Sequence, residues 1–389
     1  MSTPEPVYSS PLEDGLRYVE ELPSRVGPLE AYMELFWRRH PAPALRCSLW
    51  SDDGEGPLSY VWIMEYTARV GAAPVAAIGF AAAATRPELR RRGLFTCLMH
   101  VAMKRAAQRA PIAFLRGISN AYRRLGYVAC MAEQGFTVAS DVLRCVEPNA
   151  PHIIRGWSEA DCTPACALYN RSHAVRSCTV LRQPRHLPGL RATSAWEPGD
   201  EVLVCERDTT LQGYALMAAL PYGQDWRGFE VREIVAADAD AARALLAAVG
   251  IRAEREGRAQ LTIDEPPDSA VGAVLRSLDC SHTARYVSDG GWMAAVLDRE
   301  ALIGSARAEL ARRFSNCANE IEALLRTGAL LPCDRLLVQL LLGSRSWHDL
   351  EYTAMPDELG LAWQHFTQSY AESCERELPV PFIHAADRF

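Results

Sequence analysis

The stretch Thr85-Arg-Pro-Glu-Leu-Arg-Arg-Arg-Gly-Leu-Phe95 decides how this chain is read. It follows an apolar run, Val75-Ala-Ala-Ile-Gly-Phe-Ala-Ala-Ala-Ala84, and opens a helical pattern with apolar residues at Leu94, Cys97, Leu98 and Val101. The spacing predicts a strand feeding a short arginine-rich loop that turns at once into an amphipathic helix. The first backbone N–H groups of a helix have no intrahelical acceptor, and the helix dipole adds positive potential there. Such an end binds phosphate. Gly93 lets the chain approach an anion closely, and Arg90, Arg91 and Arg92 add charge. Alone, an Arg-Arg-Arg-Gly run is more often a basic surface turn, the more so in an arginine-rich chain whose only lysine is Lys104. The strand before it and the helix after it supply the context an anion loop requires.

Residues 72–84 are ambiguous by propensity, because alanine favours helix. They are assigned to a strand because the loop and helix that follow need one. Gly79 is expected to mark a bulge that frees a backbone N–H. Farther on, Ile112-Ala-Phe-Leu115 reads as the next strand, and Ala121-Tyr-Arg-Arg-Leu-Gly-Tyr127 as a short helix ending at Gly126.

These paired segments, Arg-Arg-Arg-Gly-Leu and then Tyr122-Arg-Arg-Leu-Gly-Tyr127, resemble the GNAT acyltransferases. Among them they are similar to the Eis (enhanced intracellular survival) family, multi-acetylating aminoglycoside transferases of actinobacteria. The resemblance implies that Thr85, Arg90, Arg91, Arg92, Gly93, Leu94 and Phe95 hold the pyrophosphate of acetyl-coenzyme A or another acyl-coenzyme A. Backbone groups at Ala82 and Ala83 would face the pantetheine and the thioester, and Gly117 and Ala121 would border the arm between splayed strands. Tyr122 aligns with the general acid, and the chain-terminal carboxylate of Phe389 with the base or amine-orienting group. Glu65 is the rival base, and His384 a weaker one. Phe36, Trp37, Glu65 and Arg388 are the candidate contacts to the acceptor.

A chain of 389 residues is long for one such domain and suggests two or three. The resemblance implies an α/β (α+β) chain. Its expected parts are a catalytic GNAT domain over residues 1–148, a degenerate GNAT-like copy over 149–296 and a sterol-carrier-like α/β domain over 297–389. The first sixteen or so residues, polar and proline-bearing, read as a loose arm. Leu29 to Trp37 reads as a helix, Val61 to Tyr66 as a strand, and Gly135 to Cys145 as the strand closing the first domain. Glu147-Pro-Asn-Ala-Pro151 is the expected boundary. A strand-and-helix pattern then recurs, with strands at 201–205, 213–219, 231–236 and 259–263 and a helix from Asp238 to Glu254. Ala236-Ala-Asp-Ala-Asp240 stands there in place of an arginine loop, and acid at that position repels pyrophosphate. The last part contains Asp334-Arg-Leu-Leu-Val-Gln-Leu-Leu-Leu-Gly343 and ends Asp387-Arg-Phe389, both similar to the Eis C-terminal domain.

Composition narrows the partners. A hydrophobic share of 49% with 23% charged residues fits a globular protein with sizeable cores. The net charge of −7 argues against general nucleic-acid binding. No apolar run reaches the length of a membrane span, and the N-terminus lacks a charged-then-apolar signal, so a cytoplasmic location is expected. The twelve cysteines include no Cys-x-x-Cys; their expected state is reduced, mostly as small core residues, and no metal is expected.

The acceptor is expected to be a small-molecule amine. The residue beside the terminal phenylalanine is Arg388, where aminoglycoside-acetylating members carry acid, which disfavours a polycation and suits a neutral or carboxylate-bearing amine. Two other readings stay open. One is tailoring of a secondary metabolite with another acyl-coenzyme A. The other is a non-enzymatic coenzyme A or lipid carrier, with Leu336 to Leu342 lining a cavity. A homo-oligomer, a hexamer by family resemblance, is implied.

Overall fold

Strand β4 (Pro57–Val70) shows how the first half of the chain is layered. Its side chains alternate: Val61 and Ile63 pack to one face, Trp62 and Met64 to the other. Period-2 burial on both faces makes a strand covered on both sides. The computed structural model describes residues 8–12, 15–21, 44–51, 56–118, 120–184, 201–222, 226–285, 287, 290–314, 318–327 and 334–343.

The first sheet has the order β1-β2-β3-β4-β5-β6-β15-β7. Its other strands are β1 (Tyr8–Pro11), β2 (Leu16–Glu21), β3 (Ala44–Ser51), β5 (Ala73–Thr85), β6 (Ile112–Gly117), β7 (Val128–Ala129) and β15 (Gly291–Val296). One face is covered by helix α1 (Leu94–Ala106), through Leu98, Met99, Ala102 and Ala106. The other face meets four C-terminal helices, α6 (Arg299–Ser305), α7 (Arg307–Phe314), α8 (Ala318–Thr327) and α9 (Asp334–Leu342). A buried carboxylate anchors them. Glu309 accepts a hydrogen bond from the Ala72 amide at the β4–β5 turn (2.8 Å) and pairs with Arg312 and Arg313. Arg313 in turn donates to the Leu340 and Leu341 carbonyls at the end of α9, which have no acceptor role left inside the helix. Leu337, Val338, Leu340 and Leu341 are buried in this core, so that part of the leucine run is packed rather than lining a cavity.

The second sheet has the order β14-β8-β13-β12-β11-β10-β9. Its strands are β8 (Glu133–Ala139), β9 (Ile153–Gly156), β10 (Glu201–Arg207), β11 (Thr210–Tyr222), β12 (Trp226–Ala236), β13 (Gln260–Ile263) and β14 (Cys280–Arg285). Helices α2 (Ser140–Arg144), α4 (Ala239–Arg255) and α5 (Ala270–Leu275) pack on one face, and α3 (Cys162–Ser172) on the other. Both sheets contain one parallel pair flanking a long helix: β5 with β6 around α1, and β12 with β13 around α4.

Three expectations are corrected. The N-terminal segment is not a loose arm throughout, because Tyr8–Pro11 pairs antiparallel with β2 as an edge strand. The segment expected to close the first sheet forms a strand over 133–139 and a helix over 140–144, and the strand lies in the second sheet between β13 and β14. The place beside β6 goes instead to β15, from far down the chain. The two sheets thus exchange strands across the expected boundary at 148. Finally, Gly79 is regularly paired, with Met64 on one side and Phe114 on the other. The register shift in β5 falls later, between the pairs Trp62↔Ala81 and Tyr60↔Ala84. Ala82 and Ala83 there oppose one β4 residue, and Ala82 has φ 44°. The expected helix over 29–37 and residues 344–389, about half of the expected sterol-carrier-like part, lie outside the described residues.

Candidate active site

β5 and β6 are paired only at Ala77↔Ile112, Ile78↔Ala113 and Gly79↔Phe114. Beyond Gly79 they part, because β6 turns to pair along its whole length with β15 and β5 bends at its bulge. A cavity of about 490 Å³ lies at the far end of β5, within the usual size of a small-ligand site. Its walls are the end of β5 (Ala83, Ala84, Thr85), the loop and first turn of α1 (Leu89, Arg90, Arg91, Gly93, Leu94, Phe95, Thr96), and Ile118, Ala121 and Tyr122 after β6.

The loop is held in place by backbone bonds. Ser59 donates to the Ala84 carbonyl (3.0 Å), and its hydroxyl lies 2.9 Å from that of Thr85. Arg86 donates its amide to the Leu58 carbonyl, and Pro87–Leu89 form one 3-10 turn. Arg91 (φ 64°) and Gly93 (φ 81°) are both left-handed and wind the chain tightly into α1. Only glycine takes this conformation without strain, and a Cβ at Gly93 would meet nothing within 4 Å, so the ground in front of the helix is open. Gly93 provides no side-chain cap, and the first turn of α1 carries no acid. The N–H groups of Leu94, Phe95 and Thr96 therefore face the cavity mouth without an intrahelical acceptor. Arg90, Arg91 and Arg92 are exposed around them. Open helix amides, a glycine cradle and flanking guanidinium groups fit a pyrophosphate.

Tyr122 stands on the opposite wall. Its ring meets Phe95 edge-on at 5.6 Å and Tyr127 at 6.0 Å. Gly117 makes this possible, since a Cβ there would come within 2.7 Å of the Tyr122 ring. The turn after it, Arg123–Leu125, is tied to the C-terminal helices by Arg335, which donates to the Arg123 carbonyl (3.0 Å). Burial raises the Tyr122 phenol above its ordinary pKa, so it carries its proton at neutral pH. Cys97, on α1, is also raised by burial and is not part of the cavity wall. No cysteine lines the cavity among the described residues.

The structure thus brings together Ala83, Thr85, Arg90, Arg91, Gly93, Leu94, Phe95, Ala121 and Tyr122 around one cavity. Ala82 sits in the bulge behind it, Gly117 under the Tyr122 ring, and Arg92 on the exposed flank of the loop. Glu65 is placed elsewhere: it lies on β4 opposite Ile78, its side chain half exposed and 3.7 Å from Arg109. Phe36, Trp37, His384, Arg388 and Phe389 lie outside the described residues. Sequence reasoning missed Ile118, whose 73% exposure beside the cavity is unusual for so apolar a residue. The signal was an isoleucine between the end of a strand and a polar turn.

Residues 26–130 match the acetyltransferase (GNAT) domain family. No curated protein matches the sequence. Among solved structures, Eis1 from Mycobacterium abscessus superposes with a TM-score of 0.59 at 17% identity, covering 96% of this chain and 100% of that one. A probable N-acyltransferase from Enterococcus faecalis gives 0.65 at 15% identity, over 94% and 93%. A GCN5-related N-acetyltransferase from Kribbella flavida gives 0.53 at 21% identity, over 67% of this chain and 62%, under two thirds, of that one. Residues 26–130 are thus similar to the GNAT acetyltransferase domain, and the fold of the chain is similar to that of Eis1.

Proposed function

We propose that the chain transfers an acetyl or other small acyl group from acyl-coenzyme A to an amine of a small molecule by direct attack. The observation that carries this reading is the open N-terminus of α1 facing Tyr122 across one cavity. Acyl-coenzyme A supplies the activated thioester. The chain's part is to hold, polarise and move protons. The amides of Leu94 to Thr96 with Arg90 and Arg91 bind the pyrophosphate, and Arg92 adds long-range attraction. The bulge at Ala82 and Ala83 leaves backbone N–H groups out of the ladder, suited to the pantetheine and to the oxygen on which charge develops. Tyr122, protonated at neutral pH, is placed to donate its proton to the sulfur as the thioester bond breaks. The absence of cysteine from the described cavity wall favours direct transfer over a covalent acyl-enzyme.

The Phe389 carboxylate, as base or orienter of the amine, completes the reading, with Arg388 beside it steering acceptors away from polycations. Phe36 and Trp37 would contact an apolar part of the acceptor. Glu65, paired with Arg109 and outside the cavity, is the less well placed candidate for the base. A sterol-carrier-like C-terminal domain, a homo-oligomer and a cytoplasmic setting belong to the same reading.

The test is thiol release from acetyl-coenzyme A against a panel of neutral, carboxylate-bearing and polycationic small amines. Amine-dependent release is expected, least with the polycations; no amine-dependent release with any acyl-coenzyme A would overturn the proposal. A peptide tag added after Phe389 converts its carboxylate to an amide and should abolish turnover, while an N-terminal tag should not. Full activity with the C-terminal tag would remove Phe389 from the mechanism.

A further inference from the structure

The second sheet repeats the parting of strands seen in the first. β12 and β13 are paired only at Val231↔Ile263. β12 then runs on to Ala236, while the chain after β13 turns away through Glu265, Pro266 and Pro267 to α5. A second cavity, about 190 Å³, lies between them and is closed from the side by His173 and Arg176 after α3. By topology it stands in the second sheet where the candidate active site stands in the first.

Glu265 forms one wall of this cavity and is 1% exposed. Its carboxyl is hydrogen-bonded to Ser269, yet Oε2 has no partner. A buried carboxyl oxygen left unpaired is costly, and few native proteins retain one without a use. Two neighbouring carboxylates are ion-paired. Arg176 is ion-paired with Asp268 at 2.8 Å. Glu233, on β12, is held by both arms of Arg182 (2.6 and 2.7 Å) and by the Tyr214 hydroxyl. Glu265 forms no ion pair among the described residues, and desolvation pushes its pKa up to about 8 despite the nearby Arg176.

We propose that this cavity binds a small metabolite carrying a primary ammonium group, whose N–H donors pair with Oε2 of Glu265. An anion is disfavoured because Glu265 and Asp268 both border the cavity, against an arginine already paired with Asp268. Coenzyme A is disfavoured because the N-terminus of α4 is capped by the Asp238 side chain, which accepts from the Asp240 and Ala241 amides. A metal ion lacks a ligand set, since no group of three or more His, Cys, Asp or Glu gathers among the described residues. The volume equals about six water molecules in the liquid, which suits an amine of roughly six to eight non-hydrogen atoms. Binding replaces a proton by the ammonium: near neutral pH the neutral carboxyl loses its proton to solvent, and the ligand cation takes its place beside the carboxylate. The other titratable or charged groups near Glu265 are His173 and Arg176 after α3, Glu233 on β12, and Asp264 and Asp268 in the turn.

The probe is pentylammonium, with 1-pentanol as its uncharged counterpart, titrated calorimetrically into the full chain without acyl-coenzyme A. Saturable binding of the ammonium with release of one proton near pH 7 is expected, its affinity rising about tenfold per pH unit until Glu265 ionises unaided. Glu265→Gln should weaken it by about tenfold or more and flatten the pH dependence. On the unmutated chain, the infrared band of a protonated carboxyl should disappear as pentylammonium is added, a readout that does not depend on the variant's folding. Equal binding of pentanol, no proton release, an unchanged carboxyl band, or a crystal structure with pentylammonium in which this cavity holds only water would overturn the proposal.

Discussion

Helices α1 and α4 make the same journey, out of a strand, through a short loop and across the face of a sheet, and arrive with opposite N-termini. α1 begins at a left-handed glycine, with no capping side chain, no acid in its first turn and arginines ahead of it. α4 begins at Asp238, whose carboxylate already accepts the first amides, with Asp240 in the first turn binding the Asn149 and Ala150 amides. The first end is unsatisfied and positive; the second is satisfied and neutralised. A shared backbone topology therefore says nothing about ligand until the cap is known. The cap, together with the charges ahead of it, separates a helix end open to an anion from one closed by its own fold.

The walls facing the two helices differ in the same way, and the largest effect is expected there. Tyr122→Phe removes one hydroxyl and keeps the ring against Phe95 and Tyr127. Turnover should fall by about 10²–10⁴-fold with acyl-coenzyme A affinity little changed. Near-normal turnover would leave the phenol as packing only. Next, Gly93→Asp gives α1 the cap of α4. Aspartate tolerates the left-handed backbone better than most residues, but its carboxylate would occupy the helix amides and repel phosphate. Coenzyme A affinity, measured by calorimetry, should fall by about 10²-fold, the loss of one to two charge-assisted hydrogen bonds. Unchanged affinity would move the phosphate site away from α1.

The reverse exchange is smaller. Asp238→Ala uncaps α4 and should lower stability by about 1 kcal/mol in a denaturant titration, without creating a coenzyme A site, because the arginines and the glycine are absent. Gain of coenzyme A binding would show that the cap alone separates the two ends. The last expected effect is a drift of stability with pH. Glu265 has a folded pKa of about 8 against 4.5 for the free side chain. Between those values the folded state keeps a proton that the unfolded chain has lost. Its contribution to stability is thus full below about pH 4.5 and declines as pH rises towards 8. The melting temperature should fall less steeply over that range in Glu265→Gln than in the unmutated chain. Parallel slopes would assign the drift to other groups.

What the sequence disclosed were features whose physics is local. The arginine loop, its glycine and the amphipathic start of α1 lie within a dozen or so residues, so spacing alone could place them. The alanine-rich β5 was assigned correctly against its helical propensity, because the loop after it demanded a strand. The bulge was misplaced at Gly79 because its position depends on register with β4, and Ala82 offers no side chain to announce it. The exchange of β8 and β15 was invisible because it is a pairing between distant segments, and each reads as a strand wherever it lies. Glu265 looked like any other acid in a polar turn; burial of a single carboxyl follows from packing and leaves no pattern in the chain. The expected acceptor contacts Phe36, Trp37 and Arg388, and the base Phe389, remain proposals of the resemblance.

The seat of β15 beside β6 also sets a clock. Gly117 pairs with Gly291, and Ile112 with Val296. During synthesis β6 leaves the ribosome long before its neighbour exists. At about 5–20 residues per second the wait is on the order of ten seconds or more. Until then β6 has an open edge on the side away from β5, and the wall that carries Tyr122 has nothing behind it. The candidate active site is therefore among the last parts of this chain to become complete, although its signature is written near the beginning. A nascent chain halted shortly before β15 should bind coenzyme A poorly however intact its arginine loop, and its exposed strand makes that interval the time when a chaperone matters most.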